Sequence, residues 1–443
     1  MNSNERREAR YQRRKAEREK RKAALTLVHG DYDEVFTFEH LYAAYKKCCK
    51  GVGWKASTQR YKANALLNVV NTLDTVRSGK FKSKGFFEFD IMERGKERHI
   101  KSVLLNERVV QRCLCDYSLV PVFSNGFIYD NGACLKDRGI TFAEERLVHH
   151  LKQYWREHGN EGYALTFDFS KYFDSILHGL LKRIVVESYG DVRLVKLVCQ
   201  LIDDFDGDRG LGLGSQISQI SALRFASKID HYIKEVLRIK QYGRYMDDGY
   251  LLHPDKPYLQ KCLADLRVIC AELGIKLNEK KTQIVKLSNG ISFLKHRFIL
   301  TKTGKVIILP MRASIVRQRR KLKKFKQWYD EGKMTMEAIT QSYQSWRSSI
   351  MPNSRKKKKK QPGKHYQNIQ CNAKRTLKSM DRLFYRLFHK EKNMENTEPT
   401  KTEEPIITVE NICQACEKGP CDEPCSLWYD CLEGKEIKAE DLI

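Results

Sequence analysis

Tyr242-Gly243-Arg244-Tyr245-Met246-Asp247-Asp248-Gly249-Tyr250-Leu251-Leu252 is the stretch on which the rest of the chain is organised. The aromatic segments Tyr242 to Tyr245 and Tyr250 to Leu252 read as two short strands, and Asp247 and Asp248 fall at the tight turn between them. A hairpin tip lets both carboxylates project from backbone held by a sheet. Two like charges this close repel, and a divalent cation with a taste for hard oxygen ligands, such as Mg²⁺, would neutralise them. On its own, an Asp-Asp pair is more often an ordinary solvent-facing turn.

A second acidic stretch changes that balance. In Ala164-Leu165-Thr166-Phe167-Asp168-Phe169-Ser170-Lys171-Tyr172-Phe173-Asp174, the run from Tyr163 to Phe169 reads as a buried strand, yet it carries Asp168. A buried, unpaired carboxylate is costly. Metal shared with Asp247 and Asp248 would remove that cost. Three carboxylates holding two Mg²⁺ ions suit phosphoryl or nucleotidyl transfer.

The Tyr-Met-Asp-Asp box, with Asp168 inside Phe-Asp-Phe-Ser-Lys-Tyr-Phe-Asp, resembles the palm of a bacterial reverse transcriptase, an RNA-directed DNA polymerase. The resemblance runs from about Phe86 to Phe298 in five ordered blocks. It implies an α+β right-hand fold with fingers, a palm built on an antiparallel sheet, and an α-helical thumb. Residues 1–30 then form a basic arm, 31–160 the fingers, 161–300 the palm with interleaved finger elements, 301–390 a basic thumb, and 391–443 an acidic cysteine-rich tail.

Charge agrees with a polyanionic partner. The 443 residues carry a formal net charge of +27. From Glu391 onward there are five lysines against fourteen acids, net −9, so the rest of the chain carries +36. Such a surplus suits nucleic acid. No apolar run is long enough to cross a bilayer, and the charged start shows no signal-peptide pattern. Cys113, Cys115, Cys199 and Cys270 sit in apolar segments, which fits a reducing cytoplasm.

Along the chain, residues 1–24 are largely Arg, Lys and Glu and read as a solvated helix or a disordered arm, either a nucleic-acid tether or a solubilising leader. Helical spacing runs from about Asp31 to Leu73. Phe86 to Ile91 and Arg98 to Val103 read as strands joined by a polar turn over Met92 to Glu97. The resemblance makes this the fingers hairpin, where Arg98 with Lys96 would meet the triphosphate of an incoming nucleotide. It offers Arg108, Lys136 and Arg138 for template backbone contacts. Thr141 to His158 reads as a helix leading into the Asp168 strand.

In the palm, the resemblance gives Phe169 a metal-facing backbone carbonyl. It makes Phe173, five residues after Asp168, the aromatic that blocks a ribose 2′-hydroxyl. Asp174 reads as structural. Gly210-Leu211-Gly212-Leu213-Gly214-Ser215-Gln216-Ile217-Ser218-Gln219 precedes an amphipathic helix from about Ser218 to Leu237, and the resemblance puts Gly214, Ser218 and Gln219 beside the template–nucleotide pair. Many relatives carry Pro-Gln-Gly and then Ser-Pro here. Leu213-Gly214 followed by Ser218-Gln219 is more similar to the diversity-generating retroelement type, with uncharacterised or phage-defence bacterial enzymes as the alternative.

Pro257 to Leu273 reads as a helix covering the sheet. Within Leu273 to Thr282, the resemblance makes Lys281 a proton donor to the pyrophosphate leaving group. Ile291 to Phe298 is similar to the primer-gripping hairpin, with Lys295 where glycine is more usual. Arg312 to about Phe388 is helical, basic and dotted with aromatics, with a lysine-rich break at 354–364, as expected of a thumb that clamps a duplex by its phosphates. In the tail, Cys413, Cys416, Cys421 and Cys425 could hold Zn²⁺, against a disordered tail with free thiols.

The resemblance thus implies two Mg²⁺ ions, deoxynucleotides, an RNA template, a DNA primer or cDNA and an accessory protein, and no membrane. A different class of function, a catalytically idle RNA-binding scaffold of maturase type, is disfavoured because a scaffold needs no trio of costly carboxylates.

Overall fold

The strand carrying Asp168 spans Tyr163–Ser170, and six of its eight residues are buried. A strand covered on both faces must read as a near-continuous apolar run, as Ala164, Leu165, Phe167 and Phe169 do. A computed structural model describes residues 3–93, 96–350 and 373–389.

The chain begins with α1 (Ser3–His29), a long exposed helix. Then come α2 (Tyr32–Val35), α3 (Phe38–Cys49), α4 (Ala56–Ala63) and α5 (Ala65–Arg77). The antiparallel ribbon β1 (Phe87–Glu93) and β2 (Lys96–Ser102) follows. Pairing of Glu93 with Lys96 runs the strands past the polar turn expected over Met92 to Glu97. Next are α6 (Leu105–Leu114), which leads through a wide turn at Cys115–Leu119 into α7 (Val120–Ser124), and α8 (Ile140–His158).

The central sheet starts with β3 (Tyr163–Ser170). After it come α9 (Tyr172–Ser175), α10 (His178–Ser188), α11 (Val192–Asp203), α12 (Gln216–Phe225) and α13 (Ser227–His231). The helix expected from Ser218 to Leu237 starts two residues earlier and breaks at Ala226. The strands β4 (Tyr242–Tyr245) and β5 (Asp248–His253) are covered by α14 (Lys256–Glu272), and β6 (Lys276–Leu277) and β7 (Gln283–Lys286) complete the sheet. Its order is β4-β5-β3, with β6 and β7 both pairing β3, all antiparallel.

A three-stranded meander follows: β8 (Ile291–Phe293), β9 (His296–Leu300) and an unanticipated β10 (Val306–Pro310). The basic helices α15 (Arg312–Asp330), α16 (Met336–Ile350) and α17 (Lys374–Phe388) close the described chain. They pack through aromatics: Tyr343 stacks on Phe384 at 4.5 Å, and its hydroxyl donates to Asp381 at 2.6 Å.

One large core joins the N-terminal helices to α10–α14 and the inner face of the sheet, and a second lies between α8, the outer face and the meander. Cys113, Cys115 and Cys270 lie in the first core as free thiols, with Cys199 half-buried against it. The chain divides after Leu387, and the second unit lies outside the described residues from Lys390 onward. The expectations for Cys413, Cys416, Cys421 and Cys425, and for the lysine-rich break, fall outside the described residues.

Candidate active site

Antiparallel register brings the two acidic stretches together. Asp168 on β3 is the direct cross-strand partner of Asp248, the first residue of β5. Asp248 also pairs with Tyr245 on β4, so only Met246 and Asp247 form the turn. Asp248 was expected within the turn; the two pairings draw it into the strand. The Phe169 amide donates to the Asp247 carbonyl at 3.1 Å, which fixes the turn against the end of β3.

Asp168 is buried, at 3% exposure. Its Oδ2 lies 2.5 Å from Lys281 Nζ, and its Oδ1 accepts from Asn278 Nδ2 at 3.1 Å. The Asn278 amide donates to the Asp168 carbonyl at 2.7 Å, so the backbone after β6 is locked to the strand it serves. Burial pulls the Lys281 proton affinity down, but the hydrogen bond and charge of Asp168, with Asp248 and Asp247 beyond, raise it above the usual lysine range.

Asp247 and Asp248 are half-buried. Burial and the neighbouring carboxylates push the Asp248 carboxyl up to about 7. Asp247 is raised as well, first by burial and then by the charge of Asp168. Among the described residues, no three acids, imidazoles or thiols are drawn together as a ready-made metal cage. The donor set nonetheless fits a hard divalent cation: oxygen ligands only, with more negative charge than one lysine offsets.

The surroundings of Phe173 form the next wall. Its carbonyl accepts from the Leu211 amide at 2.9 Å, and the Ile176 carbonyl accepts from the Gly210 amide at 2.8 Å. The glycine-rich loop is thereby laid on the segment that follows β3. Its other edge docks on the ribbon, where the Lys101 amide donates to the Leu213 carbonyl at 2.8 Å. Gly214 has φ +112°, and a Cβ there would stand 2.8 Å from the Lys101 carbonyl oxygen, so the loop and ribbon meet only because this residue lacks a side chain. Ser218 spends its hydroxyl on the Gly212 carbonyl at 2.8 Å, while Gln219 is exposed. Phe173 is half-buried.

Residues 93–298 match the family described as reverse transcriptase (RNA-dependent DNA polymerase). This segment, just under half of the chain, is similar to a reverse transcriptase domain. The curated Protein YkfC of Escherichia coli (strain K12) is similar, at 25% identity over 252 residues covering 46% of this chain and 64% of that protein. The chain therefore spans less than two thirds of the length of that relative. Among solved structures, apo telomerase from Candida tropicalis truncated from its C-terminal domain matches with a TM-score of 0.39 and 15% identity, over 55% of this chain and 60% of that one. Telomerase from Candida albicans, in complex with a fragment of telomeric RNA, matches with a TM-score of 0.40 and 12% identity, over 57% and 52%.

The matched segment is α+β, with an antiparallel central sheet. Its other expected contact residues are dispersed. Arg98 sits on the exposed ribbon opposite Ile91. Lys96 opens β2, and its side chain lies outside the described set. Arg108 donates to Ser102 Oγ at 2.6 Å, while its Nε is buried with no hydrogen-bond partner. Arg138 donates to the Asn131 carbonyl at 2.7 Å and lies over the rings of Tyr129 and Phe142. Lys136 is exposed, and Lys295 is half-buried at the β8–β9 turn. No described helix of the matched segment, or of the rest of the chain, is long and apolar enough to cross a membrane.

Among the buried polar residues that the sequence reading gave no role are Gln111, Asp130, Asp230 and Arg244. Gln111 caps α12, its Oε1 accepting from Ser215 Oγ and the Gln216 amide at 3.0 and 3.1 Å. Asp230 and Arg244 form an ion pair at 2.6 Å with both side chains at 0% exposure. Asp130 sits behind β4, paired with Arg146 at 2.6 Å and Lys234 at 3.0 Å. The backbone of this last site also holds β4, since the Arg244 amide donates to the Asp130 carbonyl.

Proposed function

We propose that the chain is an RNA-directed DNA polymerase that copies an RNA template into cDNA. The observation that carries this is the direct pairing of Asp168 with Asp248, with Asp247 beside them at the turn, inside the segment that matches the reverse transcriptase family. Asp168, Asp247 and Asp248, with the Phe169 carbonyl, would hold two Mg²⁺ ions. Bound there, the ions would acidify the primer 3′-hydroxyl and neutralise charge on the triphosphate.

The chain's own groups do the rest. Lys281 carries a proton within reach of the carboxylate cluster and gives it to the departing pyrophosphate. Arg98 and Lys96, on the ribbon docked against the glycine-rich loop, orient the triphosphate. Phe173, bonded to that loop through its carbonyl, excludes a 2′-hydroxyl, which selects deoxynucleotides. Gly214, Ser218 and Gln219 flank the template–nucleotide pair. Arg108, Lys136, Arg138 and Lys295 contact template or primer backbone, and the basic helices after Arg312 clamp the duplex. Residues 31–160, 161–300 and 301–390 then serve as fingers, palm and thumb. The four tail cysteines, Cys413, Cys416, Cys421 and Cys425, would hold a structural Zn²⁺.

The finer assignment we favour is the diversity-generating retroelement type, working with its own RNA and an accessory protein in the cytoplasm. Leu213-Gly214 with Ser218-Gln219 supports it.

Primer extension on a defined RNA template with Mg²⁺ and deoxynucleotides tests the proposal. Wild type should extend, and the Asp247→Asn/Asp248→Asn double variant should not while still binding the RNA–primer duplex. A double variant as active as wild type would overturn the polymerase reading. The resemblance of the glycine-rich loop to the retroelement type implies misincorporation opposite template adenine, so sequenced products separate the subtypes: errors confined to template adenine support the retroelement type, and accurate cDNA refutes it.

A further inference from the structure

Arg244 is the largest fully buried side chain among the described residues. Its Nε and Nη2 donate to the two carboxylate oxygens of Asp230 at 2.7 and 2.6 Å. Tyr242 adds a third bond to the same carboxylate at 2.5 Å. Nη1 points the other way and donates to the Met246 carbonyl at 2.7 Å.

That last bond falls where the backbone is strained. Met246 has φ +54°, a left-handed conformation that non-glycine residues seldom adopt. The chain must take it because Tyr245 and Asp248 are paired and only two residues separate β4 from β5. A glycine would adopt this turn freely; a methionine needs outside support. Arg244 supplies it from within the sheet, and Asp230 fixes the guanidinium from α13.

Stability alone is a poor account of this pair. Buried ion pairs are often no more stabilising than apolar groups of the same shape. A rigid bidentate fork does something an apolar pair cannot: it sets the direction of the free Nη1–H bond. Asp230 also belongs to the helical segment that begins at Gln216, just before Ser218 and Gln219, so the clamp ties the far end of that segment to the acidic turn.

We propose that Arg244, held by Asp230, is a positioning residue that fixes the Met246–Asp247 turn and thereby the placement of Asp247 and Asp248 against Asp168. This rests on the polymerase reading for its kinetic consequence and on geometry for its structural one. Misplacing reacting groups by about 1 Å can cost on the order of a hundredfold in rate.

The test uses the full-length chain with two variants. Arg244→Lys keeps a cation beside Asp230 but cannot reach both Asp230 and the Met246 carbonyl with a planar fork. Arg244→Met/Asp230→Asn removes both charges and keeps the side-chain volumes nearly unchanged. Primer extension, melting temperature, and amide hydrogen exchange across residues 245–249 in EDTA are measured for each. We expect kcat to fall on the order of a hundredfold with the deoxynucleotide KM nearly unchanged, the half-maximal Mg²⁺ concentration to rise, and exchange at the turn to quicken, at a melting temperature close to wild type. A folded variant with wild-type kcat and wild-type exchange overturns the proposal. If the double variant does not fold, Arg244→Lys decides by the same criteria. If wild type itself shows no polymerase activity, that reading fails separately, and turn exchange alone decides: faster exchange in Arg244→Lys upholds positioning, and equal exchange refutes it.

Discussion

Lys281 places its ammonium nitrogen 2.5 Å from Asp168 Oδ2, across 113 residues of chain. This lysine is the one cation in direct contact with Asp168 among the described ion pairs. It therefore has two roles to separate: balancing charge without metal, and supplying a proton during the reaction. Lys281→Met should remove both. General acid catalysis is worth about 10²–10⁴-fold, so kcat should fall by that order. The metal-free protein should also melt lower than wild type, and Mg²⁺ should raise its melting temperature by more than it raises that of wild type. Calorimetry with and without Mg²⁺ checks this; equal Mg²⁺ shifts in the two proteins would refute charge balancing.

The Asp248 carboxyl predicts a pH effect in the absence of metal. It is raised to about 7 by burial first, then by Asp247 and Asp168. A raised carboxyl binds its proton more tightly folded than unfolded. Its contribution to stability is complete below the unfolded value of about 3.9 and is lost as pH climbs to about 7. In EDTA, wild type minus Asp248→Asn should therefore lose stability across that interval, measured by denaturant titration at several pH values. A difference that stays flat between those limits would rule this out.

These carboxylates were legible in the sequence because an aspartate inside an apolar run breaks a simple pattern. Asp168 stands out between Phe167 and Phe169, and Asp247-Asp248 stands out between aromatic segments. The exact end of β5 was not legible. Aspartate next to glycine reads as turn, and only the pairing of Asp248 with both Asp168 and Tyr245 puts it in the strand. Arg244 was invisible for a related reason. In a chain this rich in basic residues, one more arginine reads as solvated, and the partner that buries it lies 14 residues upstream in another element. Asp130 pairs with Arg146 and Lys234, 16 and 104 residues away. Gln111 likewise acts on residues more than a hundred positions away. Periodicity sees neighbours within a helix or strand; it does not see polar contacts closed by the fold. The two-residue β6 was too short to leave any pattern.

Phe173 should control sugar selection. Its carbonyl anchors Leu211, and its side chain is half-buried against the core beside the Tyr172 ring. Phe173→Val shortens the side chain and keeps the backbone bond. Ribonucleotide incorporation relative to deoxynucleotide should rise by about tenfold or more, as expected when a close steric contact is relieved. Single-nucleotide insertion assays with matched deoxy- and ribonucleotides give the ratio. An unchanged ratio with intact activity would remove Phe173 from the sugar site.

Gly249 should be intolerant of even one methyl group. A Cβ there would stand 2.3 Å from Phe167 Cζ, on the strand carrying Asp168. Gly249 and Phe167 are direct cross-strand partners, one step from the Asp168–Asp248 pair. Gly249→Ala must push the Phe167 ring out of place, and overpacking of this kind costs about 1–3 kcal/mol. Because the strain sits one residue from two of the carboxylates, activity should fall more than stability does. Parallel denaturation and extension assays would show it; full activity at reduced stability would mean that the strain relaxes away from the site.

Asp130 should govern acid tolerance. Burial alone would raise its carboxyl, but a hydrogen bond from His150 and the charges of His150, Lys234 and Arg146 overcome that and hold it well below the usual carboxylate range. His150 is itself pushed toward the neutral form by burial, so Arg146 and Lys234 carry the pairing at neutral pH. A depressed carboxyl contributes stability above its unfolded value of about 3.9, and loses it as pH falls through the folded value. Asp130→Asn leaves two part-buried cations unmatched behind β4, and breaking a buried pair this way costs about 3–5 kcal/mol. The penalty should be full at pH 7 and should begin to shrink as pH falls below about 3.9, where the unfolded wild-type chain takes a proton on Asp130 that the folded protein does not. Denaturant unfolding of both proteins from about pH 3 to about pH 7, a range that spans the unfolded carboxyl value of about 3.9, measures the difference. A penalty that does not depend on pH would assign the loss to packing, not to charge.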